Sequence, residues 1–351
     1  MKNDDFFWMK ENHFFFFEYK DRGTMEERLQ KILHAALQYQ VSDIHFALDS
    51  VNDAVTIDMR SSTGMKRLKH HAQDASLFRY LMYRANLDLS NAFLPQTGSF
   101  EMEIDKQLIS LRFAVVNSYH ITSGVLRILN NHPILSIEEL SQQEDVQQWL
   151  TNITNHKSGL FLLSGPTSSG KTTSLYTILS KVPNKKIFSI EDPVEIQTPG
   201  IIQLQVNESQ HLSYGEGIKQ LMRHDPDVLM IGEIRDEEAA QMAIRCALTG
   251  HLVLSSIHST DCATAILRMQ DFGVKDYELK DVLSGISNQR LYEQQDGKYI
   301  GVYEIMNRKE VIYYLEHRKT SENFRNLQTR IQEQVDYGNI SKEQAEADLF
   351  A

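Results

Sequence analysis

The chain has 351 residues, enough for two domains that each bury a core. Apolar residues make up 41% and charged residues 24%, and no run reaches the ~20 apolar residues needed to span a bilayer. The net charge of −11 argues against a chain-wide electrostatic grip on nucleic acid. Two cysteines, Cys246 and Cys262, form no C-x-x-C pair, so neither a disulfide framework nor a zinc site is expected.

Residues 1–24 place Phe6, Phe7, Trp8 and Phe14 to Phe17 among charges, in apolar runs too short for a signal peptide. They read either as an interfacial aromatic anchor or as a poorly ordered extension, with Met25 a natural first residue. From Met25, Leu29, Ile32, Leu33, Ala36 and Leu37 recur at helical spacing. Alternation then predicts strands over 41–48 and 54–60 with a turn at 61–64, a helix over 77–89, and strands over 98–104, 108–116 and 125–129. These elements make a small domain over 25–132 with an antiparallel-leaning sheet, closed by the polar, proline-ended stretch 130–133. Arg112 and Arg127 sit in apolar strands of this domain. Either alternation turns them to solvent, or they reach phosphate as arginine fingers do.

In the second domain, over 133–351, Ser136 and Glu139 form a capping box. Residues 160–163 (LFLL) read as a buried strand and run into Gly165, Pro166, Thr167, Ser168, Ser169, Gly170, Lys171 and Thr172, followed by Thr173. This fits G-x-x-x-x-G-K-[ST] at every fixed position. Glycines let backbone N–H groups close around phosphate oxygens, Lys171 adds a cation, and Thr172 offers a hydroxyl to Mg²⁺. The following helix, about 172–181, points its positive end at the same anion. The motif predicts nucleoside triphosphate binding.

Three more buried strands deliver polar residues to their carboxyl ends, where open α/β sheets bind ligands. Residues 186–190 lead to Glu191, Asp192 and Glu195, which suit either a role in orienting water or Mg²⁺ or a plain acidic turn. Residues 227–231 lead through Gly232 to Glu233, assigned as the carboxylate that polarises the attacking water, with Arg235 and Asp236 making structural pairs. Residues 251–256 lead to His258, placed within reach of a γ-phosphate. The tail from Lys309 reads as polar and helical, over 322–337 and again after Ser341, suited to partner docking or to solvation.

Taken together, SDIHF (42–46), LRF and LRIL, SGPTSSGKTTSLY (164–176), IEDPVEI (190–196), RHDPDVLMIGEIRD (223–236), TGHLVLSSIHS (249–259), QRL (289–291) and GVYEI (301–305) resemble the type II secretion and type IV pilus ATPase superfamily. The resemblance implies an α/β fold with a PAS-like amino-terminal α+β domain before a RecA-like P-loop ATPase domain. It implies ATP and Mg²⁺ as ligands, Glu191, Glu233 and His258 as catalytic residues, and Arg112 and Arg127 reaching the nucleotide. A homohexamer at the inner face of the cell membrane would drive a polytopic platform protein, and pilins through it, without direct nucleic-acid binding. The larger secretion ATPases carry a tetracysteine zinc loop after QRL and an additional amino-terminal domain. Here QRL runs straight on to KYIGVYEI, so no zinc is expected, nor is that additional domain, and MRSSTG (59–64) departs from the usual arginine motif at Arg60. The short chain looks most like the late-competence ATPases that build a transformation pilus for DNA uptake, with the retraction ATPases next. A RecA-like DNA motor and a nucleotide-binding scaffold are the readings from other classes.

Overall fold

The computed structural model describes residues 7–8, 14–16, 24–39, 41–61, 64–89, 94–129, 134–206, 212–294 and 297–349. The chain divides into two units, Met1–Pro133 and Ile134–Ala351. The expected boundary stretch 130–133 and most of residues 1–24 lie outside the described residues.

The first unit opens with the short strands β1 (Phe7–Trp8) and β2 (Phe14–Phe16), paired antiparallel. Helix α1 (Met25–Gln38) starts on a capping box: the Glu27 N–H donates to Thr24 Oγ1 and the Thr24 N–H donates to Glu27 Oε2. Strands β3 (Asp43–Asp49), β4 (Ala54–Ser61) and β5 (Gly64–Leu68) follow, then α2 (Asp74–Arg84), β6 (Gln96–Ile104), β7 (Gln107–Asn117) and β8 (Ile121–Ile128). The sheet order is β1-β2-β5-β4-β3-β8-β7-β6, antiparallel except between β2 and β5. Its core is built from alternate strand residues packed with the apolar faces of α1 and α2, around the edge-to-face trio Phe46, Phe78 and Phe113. Strands β1, β2 and β5 are additional to the expected strands. Helix α2 stops at Arg84, short of the expected 89, because Asn86 turns into the left-handed region at φ 55°.

The second unit begins with α3 (Ile137–Leu140) on the expected Ser136 capping box, then α4 (Glu144–Ile153) and β9 (Gly159–Ser164). After β9 come α5 (Lys171–Ser180), β10 (Ile187–Glu191), β11 (Ile201–Gln205), α6 (Tyr214–Leu221), β12 (Val228–Ile231), α7 (Glu237–Leu248) and β13 (Leu252–Ile257). Helices α8 (Cys262–Asp271) and α9 (Asp276–Val282), the hairpin β14 (Leu283–Glu293) and β15 (Tyr299–Asn307), and helices α10 (Arg308–His317), α11 (Leu327–Asp336) and α12 (Lys342–Leu349) complete it. The sheet order is β11-β10-β12-β13-β9-β14-β15, parallel throughout except for the last pair. Helices cover both faces, so β9 is buried at every position and apolar from Leu160 to Leu163. Leu160 and Leu162 enter one core while Phe161 and Leu163 enter the other. Strands β11, β14 and β15 go beyond the expected set. Helix α11 begins at Leu327 rather than near 322 because Asn326 caps it, accepting from the Thr329 N–H at 2.9 Å. Among the described residues no helix is long and apolar enough to cross a membrane.

Candidate functional site

In a parallel sheet every strand ends at the same edge, so the loops after β9, β10, β12 and β13 converge. Central among them is the turn from β9 into α5. Gly165 (φ 144°), Ser168 (φ 62°) and Gly170 (φ 86°) all adopt positive φ, which coils the backbone back on itself. A Cβ on Gly165 would lie 2.6 Å from Ser169 Oγ and 2.7 Å from the Gln289 carbonyl oxygen, so only glycine fits. Pro166, Thr167 and Ser168 are exposed on the rim, while Ser169 Oγ is buried without a partner. Lys171 is the first residue of α5, with Thr172 and Thr173 half-buried beside it in the first turn. Its ammonium donates to the Gly165 and Pro166 carbonyls at 3.0 and 2.8 Å. Burial lowers the Lys171 pKa to about 8, against the opposing pull of Glu233 and Glu195. An orphaned hydroxyl, a cradle too tight for a Cβ and a desolvated ammonium fit an anionic phosphate chain. Among the described residues, no group of three or more His, Cys, Asp or Glu side chains is placed to hold a metal ion.

Glu233 and His258 meet at the same edge, with His258 Nε2 3.2 Å from Glu233 Oε1. The other Glu233 oxygen accepts from Arg235 Nε at 2.8 Å, and Arg235 Nη1 lies 3.5 Å from Asp192 Oδ2. Two serines fix this meeting. Ser255 Oγ donates to the Ile231 carbonyl and Ser256 Oγ to the Gly232 carbonyl, both at 2.7 Å, locking the ends of β12 and β13 together. His251, by contrast, stands before β13, and the six-residue strand sets it about 20 Å from His258. There its Nδ1 lies 3.1 Å from the Cys246 carbonyl oxygen.

Glu191 has different surroundings. It is buried, and its carboxylate accepts from the Tyr176 hydroxyl at 2.6 and 2.7 Å, Ser189 Oγ at 2.6 Å and Gln203 Nε2 at 3.3 Å. Burial raises its pKa above the usual 4.5, although these donors pull the other way. Tyr176 belongs to α5 and Gln203 to β11, so Glu191 ties the helix after the phosphate loop to the sheet edge. The carboxylates whose charges reach Lys171 are those of Glu233 and Glu195.

Residues of β14 complete the site. Gln289 is buried and its Nε2 donates to the Ser169 carbonyl, holding the loop from below. Asn288 Nδ2 donates to Ser164 Oγ at 2.9 Å and to the Ser259 carbonyl at 3.1 Å, tying β9 to the His258 loop. Their part in the site escapes a motif reading of QRL. The available signal is the Asp296-Gly297 pair between two strand-like runs, a hairpin mark that identifies β14 as a strand.

Arg112 and Arg127 belong to the first unit and face each other directly across β7 and β8, on the side of the sheet away from its core. Arg127 in turn faces Asp43, which faces Arg60, so one row across four strands carries three arginines and one aspartate. Arg127 Nε donates to Asp43 Oδ1 at 2.7 Å. Burial alone raises the Asp43 pKa, but hydrogen bonds from Arg127 and Ser42 outweigh it and hold the carboxyl below its usual range.

The fold and the phosphate loop define an α/β nucleotide-binding protein of the P-loop type. More specifically, the chain belongs to the type II/IV secretion system protein family, whose model matches residues 18–339. It is 37% identical over 292 residues to the protein transport protein HofB homolog of Haemophilus influenzae, covering 82% of this chain but 62% of that relative. To the competence protein ComGA of Bacillus subtilis it is 32% identical over 273 residues, 77% of each chain. The crystal structure of the pilus retraction motor PilT with bound ADP shares the fold. It matches with a TM-score of 0.70 at 22% identity, over 91% of this chain and 96% of that one.

Proposed function

We propose that this chain hydrolyses ATP at the loop between β9 and α5 and that the energy drives assembly of a competence-type pilus. The observation that carries this reading is the convergence of Lys171, Glu233 and His258 on one sheet edge. Loop amides and Lys171 hold the phosphates, and Mg²⁺, bound through Thr172, neutralises charge on them. Glu233 orients the attacking water, because it stands at the ligand edge beside His258 as a partly accessible carboxylate whose charge reaches Lys171. His258, in contact with Glu233, reports on the γ-phosphate. Glu191 supports α5 from beneath, a role that suits its buried bonds better than contact with water.

The likeness to ComGA, even in its coverage of both chains, supports a late-competence motor. In this reading the first unit is PAS-like and the second RecA-like. Six copies form a ring at the cytoplasmic face of the membrane, and the row carrying Arg127 and Arg112 closes on nucleotide as the units move. A polytopic platform protein transmits that motion to pilins.

Steady-state phosphate release from the purified chain tests the chemistry. Lys171→Ala should abolish nucleotide binding and hydrolysis together, and hydrolysis at wild-type rates by that variant would overturn the site. A gene knockout scored for surface pili and transformation tests the role. Loss of both is expected, whereas pili that persist or accumulate would assign the chain to retraction.

A further inference from the structure

Asp348 of helix α12 lies 58 residues beyond Arg290 in the chain, yet the two are joined. A small apolar cluster including Tyr292, Val302, Ile331 and Ala345 packs α11 and α12 onto the β14–β15 hairpin, apart from the two main cores. At its edge Asp348, in the last turn of α12, accepts from Arg290 Nε at 2.9 Å and from the Tyr292 hydroxyl at 2.7 Å. The Arg290 and Asp348 side chains are only 15% and 28% exposed, so the pair is shielded from bulk screening.

Arg290 spends its remaining donors on the nucleotide end of the sheet. Nη1 donates to Asn288 Oδ1 at 2.8 Å and to the Gln289 carbonyl at 3.2 Å, and Nη2 donates to the Thr260 carbonyl at 3.1 Å. Thr260 is two residues past His258, Asn288 also holds Ser259, and Gln289 holds the phosphate loop. Arg290 is close enough to Lys171 for its charge to oppose the lysine's. A guanidinium at that point needs an anchor on its far side, and Asp348 is the only carboxylate among its partners in the described hydrogen bonds.

We propose that Asp348 is a positioning residue for the nucleotide site: through Arg290, the last helix sets the His258 loop against the phosphate loop. The hydrolytic consequence rests on the function proposed above, whereas the mechanical link does not. Two readouts on the full chain separate them. Asp348→Ala should lower kcat for ATP about fivefold with KM within about twofold, since a displaced His258 matters most in the transition state. Amides of residues 258–261 should exchange with solvent faster in that variant. Asp348→Asn, which keeps an oxygen acceptor for Arg290, should fall between it and wild type. Glu346→Gln, which removes a charge two residues away on α12, should leave both readouts unchanged. A purely structural role would lower the melting temperature of Asp348→Ala without altering kcat or exchange at 258–261, and that outcome overturns the proposal. If the wild-type chain releases no phosphate, the ATPase reading fails and the exchange comparison still decides the link. Should Asp348→Ala not fold, Asp348→Asn against wild type carries the same test.

Discussion

Two glutamates stand at or just past the carboxyl ends of neighbouring strands of the same sheet, and their surroundings divide them. Glu191 is the last residue of β10, buried under three donors and pushed by burial toward its neutral form. Glu233 lies two residues beyond β12, facing His258 and Arg235 and opposing the loss of charge on Lys171. A strand residue's direction is set by the pleat, whereas a residue past the strand end is free to turn toward the ligand edge. Gly232 supplies that extra step at β12, and no equivalent step precedes Glu191. One site thus uses carboxylates in two ways, as a charged group at the ligand edge and as a buried tie between helix and sheet.

The largest expected effect breaks the pair apart directly. Glu233→Gln removes the charge that orients water while keeping size and one of the two acceptor oxygens that face Arg235 and His258. Turnover should fall at least about a hundredfold with nucleotide binding retained. Phosphate release and binding of a fluorescent ADP analogue, measured side by side, check this. Full hydrolysis by the variant would mean that another residue orients the water.

Glu191→Gln should do far less, changing turnover within about threefold, because an amide still fills the cavity among Tyr176, Ser189 and Gln203. Glu191→Ala, which strands those donors, should cost about 1–3 kcal/mol of stability. The pH dependence has a definite sign. A carboxyl whose pKa is raised by folding stabilises the folded state fully below its unfolded value, near 4.5, and loses that contribution as pH rises through the folded value. Glutamine is neutral throughout. At pH 7 Glu191→Gln should therefore melt at or above the wild-type temperature, and the difference should narrow toward pH 4.5. A hundredfold loss of turnover in Glu191→Gln would instead place this carboxylate in the chemistry.

Much of the site is legible in the sequence because it is local. The phosphate loop is a contiguous run with fixed glycines, and the strand ends before Glu191, Glu233 and His258 are marked by apolar runs of strand length. The meeting of Glu233 with His258 follows from parallel order, since β12 and β13 are neighbours. What the sequence does not carry is direction and distance along the chain. Nothing local in 190–196 tells that Glu191 turns inward to Tyr176. The Gln289 support, 120 residues from Ser169, comes into view only when β14 is placed beside β9. Alternation places Arg112 and Arg127 on one face of the sheet, but that they stand directly opposite each other depends on the β7–β8 register.

The smallest expected effect is a proton, and it measures which glutamate faces the lysine. Burial brings the Lys171 pKa to about 8, and bound phosphate, by restoring a counter-charge, should raise it again. Nucleotide binding at pH 8 should thus take up about half a proton, and affinity should decline as pH rises further. Glu233 holds the lysine pKa up, so Glu233→Gln lets it fall below 8 and enlarges the uptake at that pH. Glu191→Gln should leave it unchanged, since Glu191 is not among the charges acting on Lys171. Calorimetry of ADP binding in two buffers of different ionisation enthalpy reads the uptake directly. An equal change in both variants would show that the two carboxylates act on the lysine alike, and the contrast between them would then be one of burial alone.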